Sequence, residues 1–216
     1  MPEPRNSEWF RLVGGHPVLD LVNTVAPRAA GVEPSEALND VTDLLIWARR
    51  VELVDPAESN GVARAWRATP ATGPQALRAT IEIREASYAV LAGRLGVAGA
   101  PSADAALERL TLHWSAAAAR CRLGPDDNAA ARLVVGTLPA LVIPDRLAHA
   151  AIELLTRADL ERMRVCPTED GGCGWLFLDH SRNGSRRWCA MEDCGSQAKS
   201  RRLTERRRGL RATGKE

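Results

Sequence analysis

From Leu38 to Arg157 apolar residues return every third or fourth position over most of the chain, the pattern of helices with one buried face. Leu38, Val41, Leu45 and Ala48 form one such stripe within residues 36–54, with Ser35 placed to cap its start. Pro56 closes that region and opens a shorter helix through Ala68. A long amphipathic stretch runs from Gly73 to Gly93, carrying Leu77, Ile81, Tyr88 and Leu91. Ser102 then caps a helix over Ala103–Ala119, and Pro139–Arg157 returns to the same period through Leu141, Ile152, Leu154 and Leu155. The helical rhythm breaks at "GPDDN", a turn signal between two strand-like runs, Arg120–Leu123 and Ala131–Val135, which predict a small hairpin. Near the start, "GGHPVLDLVNTV" (Gly14–Val25) predicts a short buried helix, with a strand over Val18–Val22 as the alternative.

Composition changes this picture in one place. The 216 residues carry a net charge of only +2, but the charge is unevenly spread. Arg182–Glu216 holds eleven Lys/Arg against four Asp/Glu, whereas Cys166–Ser181 holds three acids and no base. A basic C-terminus points to nucleic acid, with a solvated helix as the plain alternative. No apolar run reaches the roughly 18 residues that a membrane-crossing helix needs, and the N-terminus lacks the apolar core of a signal peptide. No membrane association and a cytoplasmic location are therefore expected, where cysteines stay reduced.

Four of the five cysteines, Cys166, Cys173, Cys189 and Cys194, fall within 29 residues in the pattern C-x6-C-x15-C-x4-C. Two turns that each aim a pair of thiolates at one point can supply the tetrahedral sulfur set of a Zn²⁺ ion. Between the pairs, "WLFL", "SRNGS" and "RRW" read as strand, turn and returning strand. Knuckle, hairpin, knuckle and helix together make a treble-clef-like module, its metal covered by Trp175, Phe177 and Trp188. So small a unit depends on its metal to fold. A thiol redox switch is the competing reading of the cluster. His180 is expected on the surface of the hairpin and Cys121 in the core of the helical part.

The last cysteine leads into a helix bearing Lys199, Arg201, Arg202, Arg206, Arg207 and Arg208, with Leu203 and Leu210 available to dock it on the module. Arginines on a helix suit phosphate contacts and can read guanine edges. Arg182, Arg186 and Arg187 would extend the positive surface. Arg186 and Arg187 have a second reading, as countercharge for a site of four thiolates.

"CGWLFLDHSRNGSRRWCAMEDCGSQAK" resembles the CGNR-type zinc finger, and "GGHPVLDLVNTV" resembles the opening of the ABATE domain that precedes that finger. The family is regarded as bacterial transcription regulators, stress-induced in some descriptions. The resemblance implies a DNA-binding finger and a helical domain that senses a ligand. In this chain the naming tetrapeptide reads Cys194-Gly195-Ser196-Gln197, so Gln197 stands where the family has arginine. The first cysteine gap exceeds the two to four residues common between paired zinc ligands and is about two residues longer than the family spacing.

The expected architecture is mainly α. A helical unit over residues 1–160 carries one hairpin and serves ligand sensing or dimerisation, and a zinc finger with a basic helix spans 161–212. His16, Asp20, Asn23, Thr24 and Arg28 are candidate linings of a small-molecule pocket, the plain reading being that His16 and Asn23 bond backbone at a turn and helix start. No Ser-His-Asp, P-loop, HExxH or GxGxxG arrangement is present, and a metal with four protein ligands has no open position for chemistry. The expected function is a DNA-binding regulator, not an enzyme. The alternatives are a protein- or RNA-binding adaptor and a zinc-thiolate redox sensor.

Overall fold

The computed structural model describes residues 9–28, 32–125, 130–157 and 160–213. Among these, seven α-helices combine with three antiparallel two-stranded pairs.

Helix α1 (Pro17–Val22) is short because its sequence defines both ends. The imidazole of His16 accepts a hydrogen bond from the Val18 amide, Pro17 fixes the first helical position, and Asn23 stops the helix. Val18 to Val22 are all buried. Strand β1 (Val25–Ala26) then pairs with β2 (Ser35–Glu36). Ser35 is therefore a strand residue, not a cap. The cap of α2 (Val41–Arg50) is Asp40, whose carboxylate accepts from Thr42 N at 2.7 Å and Asp43 N at 2.9 Å. A carboxylate satisfies two orphan amides and also meets the positive end of the helix, which a serine hydroxyl does less well.

Helix α3 (Pro56–Ala68) opens on a reciprocal cap between Asp55 and Glu58. Helix α4 (Thr72–Arg94) is the centre of the bundle. Its buried positions are mostly small, including Gly73, Ala76, Ala86, Ala89 and Ala92, so α1, α2, α3, α5 (Ala103–Ala118) and α6 (Val142–Arg157) can all pack against it. Strands β3 (Arg122–Pro125) and β4 (Ala131–Val134) form the expected hairpin, displaced by two residues on its first arm. Cys121, expected in the core, is half-buried beside it at the end of α5.

The last strand pair differs from expectation. Strand β6 (Leu176–Leu178), the centre of "WLFL", pairs with β5 (Met163–Val165) and not with "RRW". Side chains replace the ladder that "RRW" would have made. The buried carboxylate of Asp179 accepts from the amides of Ser181 and Arg186, both at 2.9 Å, and closes residues 179–186 into a compact turn. The β5–β6 pair also reaches into the helical core: Met163, Leu176 and Leu178 are buried in one cluster with Leu19, Trp47, Ile83 and Leu147.

Candidate metal centre and nucleic-acid interface

The β5–β6 pair places Cys166 directly after one strand and Cys173 shortly before the other, so the first knuckle is the tip of a hairpin. The amide of Cys166 donates to Trp175 O at 2.8 Å and that of Gly174 to Cys166 O at 3.1 Å, which continues the pairing across the tip. Two glycines make the tip tight. Gly171 has a left-handed φ of +86°, and a Cβ on Gly172 would lie 2.6 Å from the Cys166 sulfur. The second knuckle is a single π-helical turn over Met191–Gly195, which presents Cys194 and runs into α7 (Ser196–Thr213).

The four sulfur atoms lie within 4.8 Å of one another, with Cys173 and Cys189 at 3.4 Å and Cys189 and Cys194 at 3.6 Å. A tetrahedron with metal–sulfur bonds of about 2.3 Å has edges of about 3.8 Å, so the residues fit a zinc-sized ion. Hydrogen bonds from Cys173 and Cys189 pull the Cys166 thiol far below its ordinary value, and donating to Cys166 holds Cys173 and Cys189 well above theirs. Four thiols this close cannot all ionise without a cation among them. Phe177 and Trp188 are buried in the same cluster, and Trp175 packs half-buried against it.

The basic residues divide into two groups. Arg186 is turned inward. Its guanidinium donates to Val13 O at 2.9 Å, to Trp188 O at 3.1 Å and to Cys189 O, and lies 4.4 Å from the Phe177 ring centroid. It therefore satisfies the carbonyls that no ladder reaches. Arg182, Arg187, Gln197, Lys199, Arg201, Arg202 and Arg206 are exposed. Asp170 in the first knuckle draws two of them together, pairing with Arg187 and, at 3.2 Å, with Arg202. Those contacts hold the Asp170 carboxyl below its usual range, the Arg202 hydrogen bond first. Arg207 and Arg208 lie on α7, but their side chains fall outside the described residues. Ala198 is the α7 residue buried against the cysteines, whereas Leu203 is exposed, so it does not dock the helix. The side chain of Leu210 is outside the described residues. His180 is exposed, as a surface residue should be.

The polar residues near the N-terminus act first as joints. The Asn23 side chain donates to Leu176 O at 2.9 Å and accepts from Leu176 N at 3.0 Å, completing the buried edge of β6 that faces away from β5. Thr24 donates to Leu21 O at 2.7 Å and accepts from Arg84 at 3.0 Å. Arg28 pairs with Glu85 at 2.7 Å, lies 4.2 Å from the Tyr88 ring centroid, and its amide donates to Cys173 O at 2.8 Å. Asp20 accepts from Gly14 N at 2.8 Å, and burial pushes its carboxyl up. Asp20, Asn23 and Thr24 line a cavity of about 190 Å³, while Arg28 lines a different one of about 650 Å³ between α4 and the first knuckle; His16 lines neither.

Sequence reasoning missed a buried ion network. Arg84, 3% exposed, binds Glu36 at 2.6 Å and 2.8 Å and Glu85 at 2.7 Å, and Glu85 in turn binds Arg28. Those carboxylates keep Arg84 charged against the cost of its burial. Arg84 sits at a core-facing position of the α4 pattern, which is the one signal the sequence offered.

Residues 162–207 match the model of the CGNR zinc finger, and residues 15–158 match that of ABATE, described as "Putative stress-induced transcription regulator". No curated protein gives a significant match. No helix among the described residues is long and apolar enough to cross a membrane. The ABATE match alone spans most of the chain, and with the finger after it the chain belongs to the ABATE family with a C-terminal CGNR zinc finger.

Proposed function

We propose that this protein is a zinc-dependent, DNA-binding transcription regulator whose helical domain responds to a small molecule. In this reading Cys166, Cys173, Cys189 and Cys194 hold one Zn²⁺ ion, which acts as a crosslink and not as a catalyst. The ion fixes the root of α7. The observation that carries the reading is the four-sulfur cluster at the start of a helix whose described side chains beyond Ala198 are exposed and largely basic. Lys199, Arg201, Arg202 and Arg206 meet phosphates or base edges, joined by Arg207 and Arg208, with Arg182 and Arg187 flanking them. Gln197, at the first exposed turn, offers an amide where relatives have a charge, so it contributes base or phosphate hydrogen bonding without countercharge. Arg186 supports the centre from inside, since its donors are taken up by protein carbonyls.

The test combines metal content with duplex-DNA binding across a salt series, for the native and the zinc-stripped protein. Native protein should bind with an affinity that falls steeply as salt rises, since phosphate contacts release counterions. Zinc-stripped protein should lose that binding. Salt-independent affinity, or equal affinity after zinc removal, would overturn the proposal. RNA outcompeting duplex DNA would move the same surface to the adaptor class.

A further inference from the structure

The cavity of about 190 Å³ has an unusual lining. Trp9, Phe10, Trp47 and Trp175 contribute four of the chain's nine aromatic rings to it. Volume suits a molecule of about the size of benzene, for which about 150 Å³ suffices. Among its charged linings, Glu36 is paired with Arg84, and Arg11 is paired with Asp193 and, at 3.6 Å, with Glu192. Asp20 is different. It is 8% exposed, accepts backbone amide hydrogen bonds, and forms no ion pair among the described residues. The nearest positive influence on it is Arg186, whose guanidinium is committed to the carbonyls of Val13, Trp188 and Cys189. Trp47 is fully buried, so it closes the cavity wall and its indole N–H is out of reach of an occupant.

Aromatic faces beside an uncompensated carboxylate are the chemistry that holds an organic cation, because ring quadrupoles attract it and the carboxylate neutralises it. We infer that this cavity binds a small organic ammonium compound, with the ammonium toward Asp20 and the rings. This rests on the sensing part of the proposed function and gives it a ligand class.

The position of the cavity also says what occupancy would act on. Trp175 follows the Cys173 knuckle by two residues and donates its indole N–H to Val25 O at 2.9 Å. Arg11 reaches Asp193, the neighbour of Cys194. Asn23 holds the edge of β6. One ligand would therefore touch residues tied to both knuckles, tightening the finger against the helical core.

Calorimetric titration of the zinc-loaded full chain tests this with three probes: choline, tetramethylammonium, and the uncharged isostere of choline with carbon in place of nitrogen. Choline should bind about tenfold or more tightly than the isostere, the scale of a desolvated cation–π contact. D20N, which keeps an acceptor for Gly14 and leaves the rings in place, should cut that preference several-fold. Tetramethylammonium, which shares the cation, should follow choline in both proteins. Equal binding of choline and its isostere would remove the ammonium class while leaving a sensing cavity. No binding of any probe at about 10 mM, by protein that still binds DNA, would overturn the inference and leave the DNA-binding reading standing. Should D20N fail to hold zinc, the comparison of the two choline forms on the native chain decides alone.

Discussion

The helical domain and the finger are built on opposite terms. In the first, Leu19, Leu44, Trp47, Ile83, Leu91 and Leu147 are fully buried around a central helix, and the core is mostly aliphatic and continuous. In the second, three of the six buried cluster residues among the described ones are cysteines, beside Phe177, Trp188 and Ala198, with Val13, Cys173 and Trp175 partly buried against them. Burying a large apolar side chain contributes about 1.5–3 kcal/mol, so the helical core can sustain itself and the finger core cannot. The finger has two external supports: the metal that its cysteines can hold, and the seam along Val13, Gly14, Asn23, Val25 and Arg28, whose groups bond Arg186, Leu178, Leu176, Trp175 and Cys173.

The largest effect should come from the metal. Chelation, or replacement of Cys189 by serine, should melt the finger and release on the order of 10 kcal/mol of coupled binding energy. Far-ultraviolet circular dichroism should lose little beyond α7, while the fluorescence of Trp175 and Trp188 shifts toward that of exposed indole. Collapse of the whole helical signal would show that the contrast between the two regions is false.

The seam comes next. Asn23→Ala leaves the buried N–H and C=O of Leu176 unpaired, at about 1–3 kcal/mol each. Hydrogen exchange should rise at β5–β6 and leave α4 protected. Uniform protection in the variant would show that the seam contributes nothing.

A smaller effect is expected inside the knuckle. Gly172→Ala places a methyl 2.6 Å from the Cys166 sulfur, so that sulfur must move. Zinc affinity should fall about tenfold or more, the scale of disturbances just outside a metal's ligands, as read by competition with a chelating dye. Unchanged affinity would mean that the knuckle tolerates other backbones.

The smallest effect belongs to the helical domain alone. Burial lowers the pKa of His16, so as pH falls the unfolded chain takes up the proton before the folded one. Its stabilisation is full above the ordinary imidazole value of 6.5 and is lost as pH drops below it toward the folded value. His16→Asn, which keeps a capping acceptor, should flatten that slope in thermal melts, whereas His16→Ala should also lose about 1 kcal/mol of cap energy. An unchanged slope in both variants would exclude His16 as the group.

The same contrast explains what could be read from sequence. Helices α3 to α6 announced themselves because a one-sided apolar stripe is a local property, and Pro56, Ser102 and Pro139 punctuate it. The four cysteines stood out because thiols of one compartment rarely cluster without a shared ion. Strand pairing was harder, because it depends on partners far apart in sequence. Nothing within "WLFL" says that Met163–Val165 lies closer than "RRW", and the deciding groups are the Asp179 carboxylate and the Arg186 guanidinium, which close the intervening turn. Ser35 was not available as a cap because it pairs with Ala26 in a strand, and the helix starts later, at Asp40. The Asn23–Leu176 joint spans 153 residues, and no local pattern encodes such a distance.

Zinc-edge X-ray absorption on the purified, metal-replete chain tests the central claim most directly. The account predicts one zinc per chain with four sulfur scatterers at about 2.3 Å. A first shell containing nitrogen or oxygen, or a folded finger with far less than one metal per chain, would contradict it.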